Sequence, residues 1–255
     1  MGNARPSSPV CSVFEFSFMQ STTQVDSAFA PSLTNPYYFV RKGIYNGIRK
    51  HAPLLGGTIM DFGCGSKPYR RFFQYERYVG VDFENPGHPH DNEQIDVFYD
   101  GRHIPLEDAS IDSVLCSEVF EHIFNLPDIL LELNRVMKPG APILITCPFV
   151  WKEHEEPHDY ARYTLFALDH LLTRAGFKKE IAEKSGNFAE VIAQLTVLML
   201  FDKSYGKANR FLLTRYLYTG LCIWLPNAVG ALLSRLLPNE QKMYLNNVLV
   251  YRKNV

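Results

Sequence analysis

From Gly57 onward, short apolar runs alternate with segments of helical character, and this alternation limits the possible folds more than any other feature of the chain. Seven runs predict strands: "GTIMDFGCGS", "RYVGVDF", "QIDVFYDG", "IDSVLCSEVFEH", "APILITCPF", "KKEIAEKSG" and "YLNNVLVYRK". Strands that alternate with helices form a parallel sheet covered by helices on both faces. The sequence therefore predicts a doubly wound α/β fold with a seven-stranded, mostly parallel sheet.

The chain divides into four predicted segments. Residues 1–35, rich in Ser, Thr, Pro and Phe, form an N-terminal arm, and residues 36–186 form the core. Residues 187–243 form a helical insertion, and residues 244–255 supply the last strand. Connections in compact α/β domains usually span about 2–6 residues. The much longer insertion is therefore expected to be structured.

Charge and cysteine content exclude several classes of protein. Lys and Arg number 26 against 27 Asp and Glu, without a basic run, so nucleic acid is not an expected partner. The five cysteines, without a CxxC pair, indicate reduced thiols in the cytoplasm. The N-terminus has no secretory pattern. The polar "GHPHD" at 87–91 is interpreted as a loop and not as a metal site.

The first predicted strand ends in "DFGCGS", with Asp61, Gly63 and Gly65 in sequence. Glycines at the carboxyl edge of such a sheet let the backbone approach a ligand closely. A dinucleotide site would carry a third glycine where this chain has Pro68, so a pyrophosphate ligand is disfavoured.

Two acids follow at later strand ends. Asp82 lies about twenty residues after the glycines, where a carboxylate can accept both hydroxyls of an adenosine ribose. Asp100 can accept from an adenine amino group, with Asp96 as a competing candidate. Each acid also has a simpler interpretation as a turn residue.

Taken in order, "DFGCGS", "IPLEDASIDSVLCSEVFEHI" and "ELNRVMKPGA" resemble the class I S-adenosylmethionine-dependent methyltransferases. Within them, the chain is similar to the small-molecule type that includes ubiquinone and menaquinone methyltransferases. The resemblance spans about Gly57 to Phe177, and Ala141 replaces the family's second glycine in a turn away from the cofactor.

The resemblance implies the class I methyltransferase fold and S-adenosylmethionine as cofactor. Gly63, Cys64 and Gly65 would face its amino-acid part, and Asp61 would organise the loop. Asp82 would hold the ribose. The remaining cofactor residues would be Phe83, Asp100 and Gly101 at the adenine, and Cys116 and Ser117 at the floor near the sulfonium.

The loop "EHEEPHDYARYT" follows the fifth strand at the same edge. Its "PHDY.RYT" part is similar to a subset of the family that accompanies polysaccharide and glycosylation enzymes. Its expected substrate-binding residues are His154, Asp159, Tyr160 and Arg162. The two His and four acids lack paired helical spacing, so no metal site is expected.

Methylation of an alcohol requires a base, and neutral histidine suits that task near pH 7. His122 and His158 are the candidates. The predicted reaction is O-methylation of a sugar or lipid-linked glycan, which are small-molecule acceptors. Two alternatives stay open: a quinone or lipid-ring methyltransferase, and a non-catalytic S-adenosylmethionine-binding scaffold. The motifs of nucleic-acid methyltransferases after the fourth strand are missing.

The insertion is unusually apolar. "FAEVIAQLTVLMLF" is apolar on almost every side, and 211–237 combine Phe211 and Trp224 with Arg210, Arg215 and Arg235. Pro226 favours two short helices that lie in a membrane interface, and disfavours a single helix that spans the membrane. The expected location is the cytoplasm, with peripheral contact at the inner face of the membrane. A homodimer interface or an internal core is the alternative.

Overall fold

A computed structural model of the chain describes residue 29 and residues 31–83, 95–208 and 212–255. Several features expected from the sequence lie outside these ranges. They are most of the N-terminal arm, the loop at 87–91, and the insertion residues Arg210 and Phe211.

Seven strands form one sheet in the order β3-β2-β1-β4-β5-β7-β6. Their bounds are β1 Thr58–Phe62, β2 Arg77–Phe83, β3 Val97–Tyr99, β4 Ser113–Ser117, β5 Pro142–Pro148, β6 Phe177–Ser185 and β7 Asn246–Lys253. The first five strands pair in parallel, and β7 runs antiparallel to both β5 and β6. The predicted fold class is confirmed, and the insertion before the last strand is helical.

The helices fall into two groups along the described chain. α1 Tyr38–His51 precedes the sheet, while α2 Leu126–Val136 and α3 Leu165–Arg174 flank β5 in the sequence. α4 Phe188–Ala208, α5 Leu212–Tyr218 and α6 Leu225–Leu236 lie between β6 and β7.

Alternating strand residues supply two hydrophobic cores, one on each face of the sheet. In β5, Ile143 and Ile145 belong to the core under α2 and α3, while Leu144 belongs to the core under α1 and α4. α2 buries residues at helical spacing, Leu126, Ile129, Leu130 and Leu133. The sheet is therefore buried on both sides, as a parallel sheet requires.

The connection from β1 to β2 departs from the expected strand–helix alternation. It contains a single 3₁₀ turn, Arg70–Phe72, and Lys67 has a φ of 54°, which an α-helix cannot accommodate. Aromatic side chains cover this part of the sheet in place of a helix. Their ring pairs are Tyr69–Phe72, Tyr45–Phe72, Phe73–Tyr78 and Tyr75–Tyr78.

The expected break at Pro226 is wrong. α5 and α6 are joined by a π-helical turn, Thr219–Trp224, in which the Leu225 N–H donates to the Gly220 carbonyl. Proline lacks an N–H and collides with the carbonyl four residues earlier in a regular helix, and the wider turn accommodates it. In the described residues, one helical stretch, Leu213–Leu236, is long and apolar enough to cross a membrane, with mean hydropathy 1.3.

Gly230 fixes the distance between α6 and its neighbours. A Cβ there would overlap the Cβ of Ala193 and lie 3.0 Å from Cζ of Phe39, whereas a Cβ at Gly220 would meet nothing within 4 Å. We expect Gly230→Ala to lower the free energy of unfolding by about 1–3 kcal/mol through overpacking. The matched control Gly220→Ala should raise it by roughly 0.5–1 kcal/mol. Urea denaturation measures both, and equal stabilisation by the two variants would contradict the proposed close contact.

Candidate functional site

Two neighbouring pockets open at the edge where the parallel strands end. The glycine-loop pocket, about 490 Å³, is lined by Gly63 and Gly65 together with residues of α1, the end of β4 and the loop 151–155. The second pocket, about 830 Å³, is lined by Phe83, Gly101 and residues of the segments 122–128 and 158–160. It is named the polar pocket for its charged side chains, Arg102 and Asp128 among them, although most of its surface is apolar. The sequence-predicted site residues are distributed between these two pockets.

The glycine loop needs its glycines. Gly63 and Gly65 have φ of 72° and 43°, and a Cβ on Gly63 would overlap the side chain of Val119. The N–H of Gly63 donates to the Val81 carbonyl at 2.8 Å. The Cys64 side chain is buried, so this residue contributes mainly backbone to the pocket.

Asp82 joins this loop to the end of β2. Its Oδ2 accepts from the N–H of Gly65 and its Oδ1 from the N–H of Phe83, both at 2.8 Å. These contacts hold the carboxylate at the end of β2 beside the glycine loop, which is the position that its predicted role with a ribose requires. The Phe83 ring lies edge-on to Tyr99, and a Cβ on Gly101 would lie 2.9 Å from it.

The other two candidate acids differ in their partners. Asp96 accepts from Lys67 Nζ at 2.7 Å and from the Gly80 N–H at 2.6 Å, so it holds the connection after β1. Asp100 lines the polar pocket, and its Oδ1 accepts from the N–H groups of Arg102 and His103. These two hydrogen bonds hold the pKa of Asp100 below its usual range. Asp100 is thus a turn residue that also faces the pocket.

Asp61 is buried at the end of β1 and lines the glycine-loop pocket. The Tyr78 hydroxyl donates to its Oδ2 at 2.7 Å. Burial raises the pKa of Asp61 from 3.8 to about 7, against the lowering effect of that hydrogen bond. The carboxyl therefore titrates near neutral pH in the absence of a ligand.

Cys116, predicted at the floor of the site, is not among the residues that line either pocket. Cys116 is fully buried in the core on the α2 face, beside Val114, because alternate residues of a strand share a face. Burial raises the pKa of its thiol. Ser117, one residue later, does line the glycine-loop pocket, and its Oγ lies 2.9 Å from Oγ1 of Thr146.

Glu118 is a site residue that sequence reasoning missed. It is a non-glycine residue with φ of 56°, and its carboxyl group lies at the glycine-loop pocket. Asn246 Nδ2 donates to its Oε2 at 2.8 Å, while its Oε1 is buried without a hydrogen-bond partner. Burial raises the pKa of Glu118 to about 7. The available signal was an acid directly after the fourth apolar strand, the same signal that identified Asp82 and Asp100.

Arg162 and Asp159 hold the loop after β5 together. Arg162 donates to both carboxylate oxygens of Asp159, at 2.5 and 2.6 Å, and to the carbonyls of Trp151 and Lys152. These hydrogen bonds keep the pKa of Asp159 well below its usual range. Both side chains were expected to bind the acceptor, but their contacts are those of residues that position the loop.

The candidate histidines lie where this loop meets the segment after β4. His122 Nδ1 lies 2.7 Å from the His158 carbonyl oxygen, and His158 Nδ1 lies 2.9 Å from the hydroxyl of Tyr160. These three residues line the polar pocket, while His154 lines the glycine-loop pocket. The loop after β5 thus forms part of the wall of both pockets.

Comparison with known proteins gives a family match for the central part of the chain. Residues 60–145 match the family described as "Methyltransferase domain". A probable S-adenosylmethionine-dependent methyltransferase of Mycolicibacterium smegmatis is 25% identical over 124 residues, which are 46% of this chain and 48% of that protein. The match therefore spans about half the length of this curated relative.

Solved structures agree on the fold. The structure described as a complex between the Haloferax volcanii Trm112 methyltransferase activator and "the putative methyltransferase" superposes with a TM-score of 0.52 at 18% identity, over 86% of this chain and 90% of that one. The [4+2]-cyclase SpnF superposes with a TM-score of 0.52 at 16% identity, over 86% and 84%. Such low identities establish the fold alone.

The chain contains a class I methyltransferase domain. The cofactor of this class is S-adenosylmethionine, as the sequence predicted. The structure offers features that fit it: a glycine loop that a Cβ would obstruct, and Asp82 tied by hydrogen bonds to that loop. The exposed ring of Phe83 lies beside Gly101 at the polar pocket.

Asp61 makes the stability of the methyltransferase domain depend on pH. Because its pKa is raised on folding, the native state keeps a proton that the unfolded chain loses as pH rises from about 4 to about 7. The protonated Asp61 carboxyl therefore stabilises the native state fully below about pH 4, and this stabilisation is lost progressively as pH rises to about 7. At 1.36 kcal/mol per pH unit, wild type should lose roughly 3–4 kcal/mol relative to Asp61→Asn across this range. Denaturant titrations of both proteins at several pH values measure the difference, and parallel curves would contradict it.

Proposed function

We propose that this chain uses its methyltransferase domain to transfer a methyl group from S-adenosylmethionine to an oxygen of a sugar or lipid-linked glycan. One observation carries the proposal. The loop after β5 presents hydrogen-bonding side chains, His158 and Tyr160 among them, to a polar pocket beside the glycine loop. Hydroxyl-rich acceptors need such donors and acceptors.

The proposed cofactor residues line both pockets. Backbone groups around Gly63 and Gly65 would hold the amino-acid part, and Asp82 would accept hydrogen bonds from the ribose. Phe83, Asp100 and Gly101 would bind the adenine at the polar pocket. When bound, S-adenosylmethionine supplies a methyl group on a sulfonium and needs no further activation. The contribution of the protein is therefore mainly to position the two reactants.

An acceptor hydroxyl must also lose its proton. A carbonyl oxygen only accepts hydrogen bonds, so His122 Nδ1 carries the hydrogen that points to the His158 carbonyl. In the neutral ring, His122 Nε2 is then the basic nitrogen. His158, oriented by the Tyr160 hydroxyl, is the second candidate base. Arg162 and Asp159 would act on the acceptor indirectly, by fixing the loop that carries His158.

The helical insertion supports the lipid-linked form of the acceptor. Tyr216, Leu221 and Trp224 are 67%, 63% and 46% exposed, and only 17% of the apolar window in Leu213–Leu236 is buried. A large exposed apolar surface on a folded chain indicates a site of interaction with another protein or a membrane. We propose that it contacts the cytoplasmic face of a membrane, beside Arg215 and Arg235. The alternative is a homodimer interface.

Methyl transfer is tested with S-adenosylmethionine labelled in its methyl group and an acceptor pool of extracted glycans and lipids. We expect label in a glycan or glycolipid, identified by mass spectrometry as a gain of one CH₂. Label in a quinone fraction would overturn the acceptor class, and no label in any fraction would favour the scaffold alternative.

Two variants make this experiment specific. Asp82→Ala should weaken binding of S-adenosylhomocysteine by about 10- to 100-fold in calorimetry, since a charged hydrogen-bond acceptor is worth roughly 1.5–3 kcal/mol. His158→Ala should leave that affinity unchanged and lower the transfer rate by about 100-fold or more. Transfer by His158→Ala at the wild-type rate would remove His158 as the base.

Membrane contact is tested by flotation with liposomes containing anionic lipid. We expect binding that weakens as salt rises, because Arg215 and Arg235 flank the apolar surface. The double variant Trp224→Ala, Leu225→Ala should abolish flotation, while Phe166→Ala, an exposed aromatic residue on α3, should not. A protein that ignores vesicles and sediments as a dimer would contradict membrane contact and support the dimer.

A further inference from the structure

Glu121 lies in the 3₁₀ turn Phe120–His122, directly after β4, and its burial requires a chemical partner. The residue is 0% exposed, and both of its carboxylate oxygens are buried without a hydrogen-bond partner in the described structure. An isolated buried carboxylate is strongly unfavourable, so such groups are paired, bind a cation or stay protonated.

His122 places a second possible ligand atom, its Nε2, near the Glu121 carboxylate. Its Nε2 lies 3.8 Å from Glu121 Oε1 and 3.7 Å from Glu155 Oε2, too far for hydrogen bonds. Its Nδ1 is committed to the His158 carbonyl, which leaves the Nε2 lone pair directed at the carboxylates. A histidine that binds a metal through one ring nitrogen commonly donates its other ring N–H to a backbone carbonyl, as His122 does here.

His154 completes the set from the other side. Its ring packs against that of His122, with centroids 4.7 Å apart, and its Nδ1 lies 3.2 Å from Asp159 Oδ2. Arg162 Nη2 also lies 3.4 Å from this nitrogen, but Arg162 binds Asp159 at shorter distances. With Nδ1 hydrogen-bonded to a carboxylate, Nε2 is the ligand nitrogen in the neutral ring.

We infer that Glu121, His122 and His154 bind a divalent transition-metal ion, of which Zn²⁺ fits best. One ligand atom from each residue lies within 4.8 Å of the others. A tetrahedral site with bonds of about 2.0–2.1 Å requires separations of about 3.3 Å, so small side-chain movements close the site. Two imidazoles and one carboxylate are a known catalytic zinc ligand set, whereas Mg²⁺ and Ca²⁺ prefer oxygen ligands.

This inference departs from the expectation of no metal, for a topological reason. The ligands come from two loops, one after β4 and one after β5, so the sequence shows no paired spacing. Parallel pairing of these strands brings the two loops together at one edge. Glu155, whose side chain is 61% exposed, is a second carboxylate on the open side of the cluster.

The site lies in the wall between the two pockets, since His154 lines one and His122 the other. A catalytic zinc ion keeps one position open to water or substrate. An acceptor oxygen bound there would be polarised, which lowers its pKa, and His158 would remain as the base. This use of the ion rests on the proposed function, whereas the binding of the ion does not.

The test is zinc binding by the full chain after chelator treatment, measured by calorimetry and by metal analysis after dialysis. We expect one Zn²⁺ per chain with a dissociation constant below about 1 μM, retained in excess Mg²⁺. Glu121→Gln, which keeps the side-chain shape, and His154→Ala should each weaken binding at least 100-fold. His170→Ala, an exposed histidine on α3, is the matched control and should bind as wild type does. The cobalt-substituted protein should show no thiolate charge-transfer band.

Several results would overturn the inference. Wild type could fail to bind Zn²⁺, or Glu121→Gln could bind it unchanged, in which case Glu121 is a protonated structural acid. Binding lost only with His88→Ala and His90→Ala would assign the ion to the loop at 87–91. Zinc binding without methyl transfer would leave the metal site standing and remove only its role in the proposed reaction.

Discussion

The burial of three carboxyl groups where β1 and β4 end is the constraint on which the site depends. Asp61, Glu118 and Glu121 lie at or beside the centre of a sheet covered on both faces, where burial disfavours their charged form and raises the pKa of each. Asp61 has one hydroxyl donor and Glu118 has one amide donor for a single oxygen, while Glu121 has none in the described structure. A core made only for stability would replace such groups by apolar side chains. Basic side chains of the protein partly offset the burial: Lys67 acts on Asp61, and Arg162 acts on Glu118 and Glu121.

Local patterns predicted the sheet and one side of the site. Gly63, Gly65 and Asp82 follow strands whose apolar runs are readable in the sequence, and parallel pairing brings such strand ends together. Strand alternation would also have excluded Cys116 from the pocket, since Val114 and Cys116 share the face under α2. The sequence could not show partners from distant segments. The contact between Asn246 and Glu118 joins residues 128 positions apart, and no local spacing encodes it.

The insertion illustrates a different limit. Pro226 is a strong local signal for the end of a helix, yet α5 and α6 are continuous through a π-turn. Packing explains this outcome, because α6 must reach Ala193 of α4 and Phe39 of α1 at Gly230, and Asn227 donates to the carbonyls of Leu33 and Asn35. Buried contacts on one face hold the helix in register while its other face stays apolar and exposed. A helix with this asymmetry has a fixed orientation on the domain, so any surface that covers it meets a defined set of side chains.

The loop after β5 lines both pockets, and its conformation depends on the ion pair between Arg162 and Asp159. Arg162 holds Asp159 and the carbonyls of Trp151 and Lys152, and Asp159 in turn accepts from the backbone N–H of His154. A planar guanidinium that also donates to the Ala161 carbonyl, and so binds five acceptor atoms, fixes a loop more firmly than a lysine could. His154 and His158 both lie shortly before Asp159 in the sequence. The ring of His154 depends directly on Asp159, because its Nδ1 lies 3.2 Å from Asp159 Oδ2, while the His158 ring is oriented by the Tyr160 hydroxyl. The position of an acceptor would therefore be set by residues that never touch it, and variation in the acceptor is possible without any change in the glycine loop.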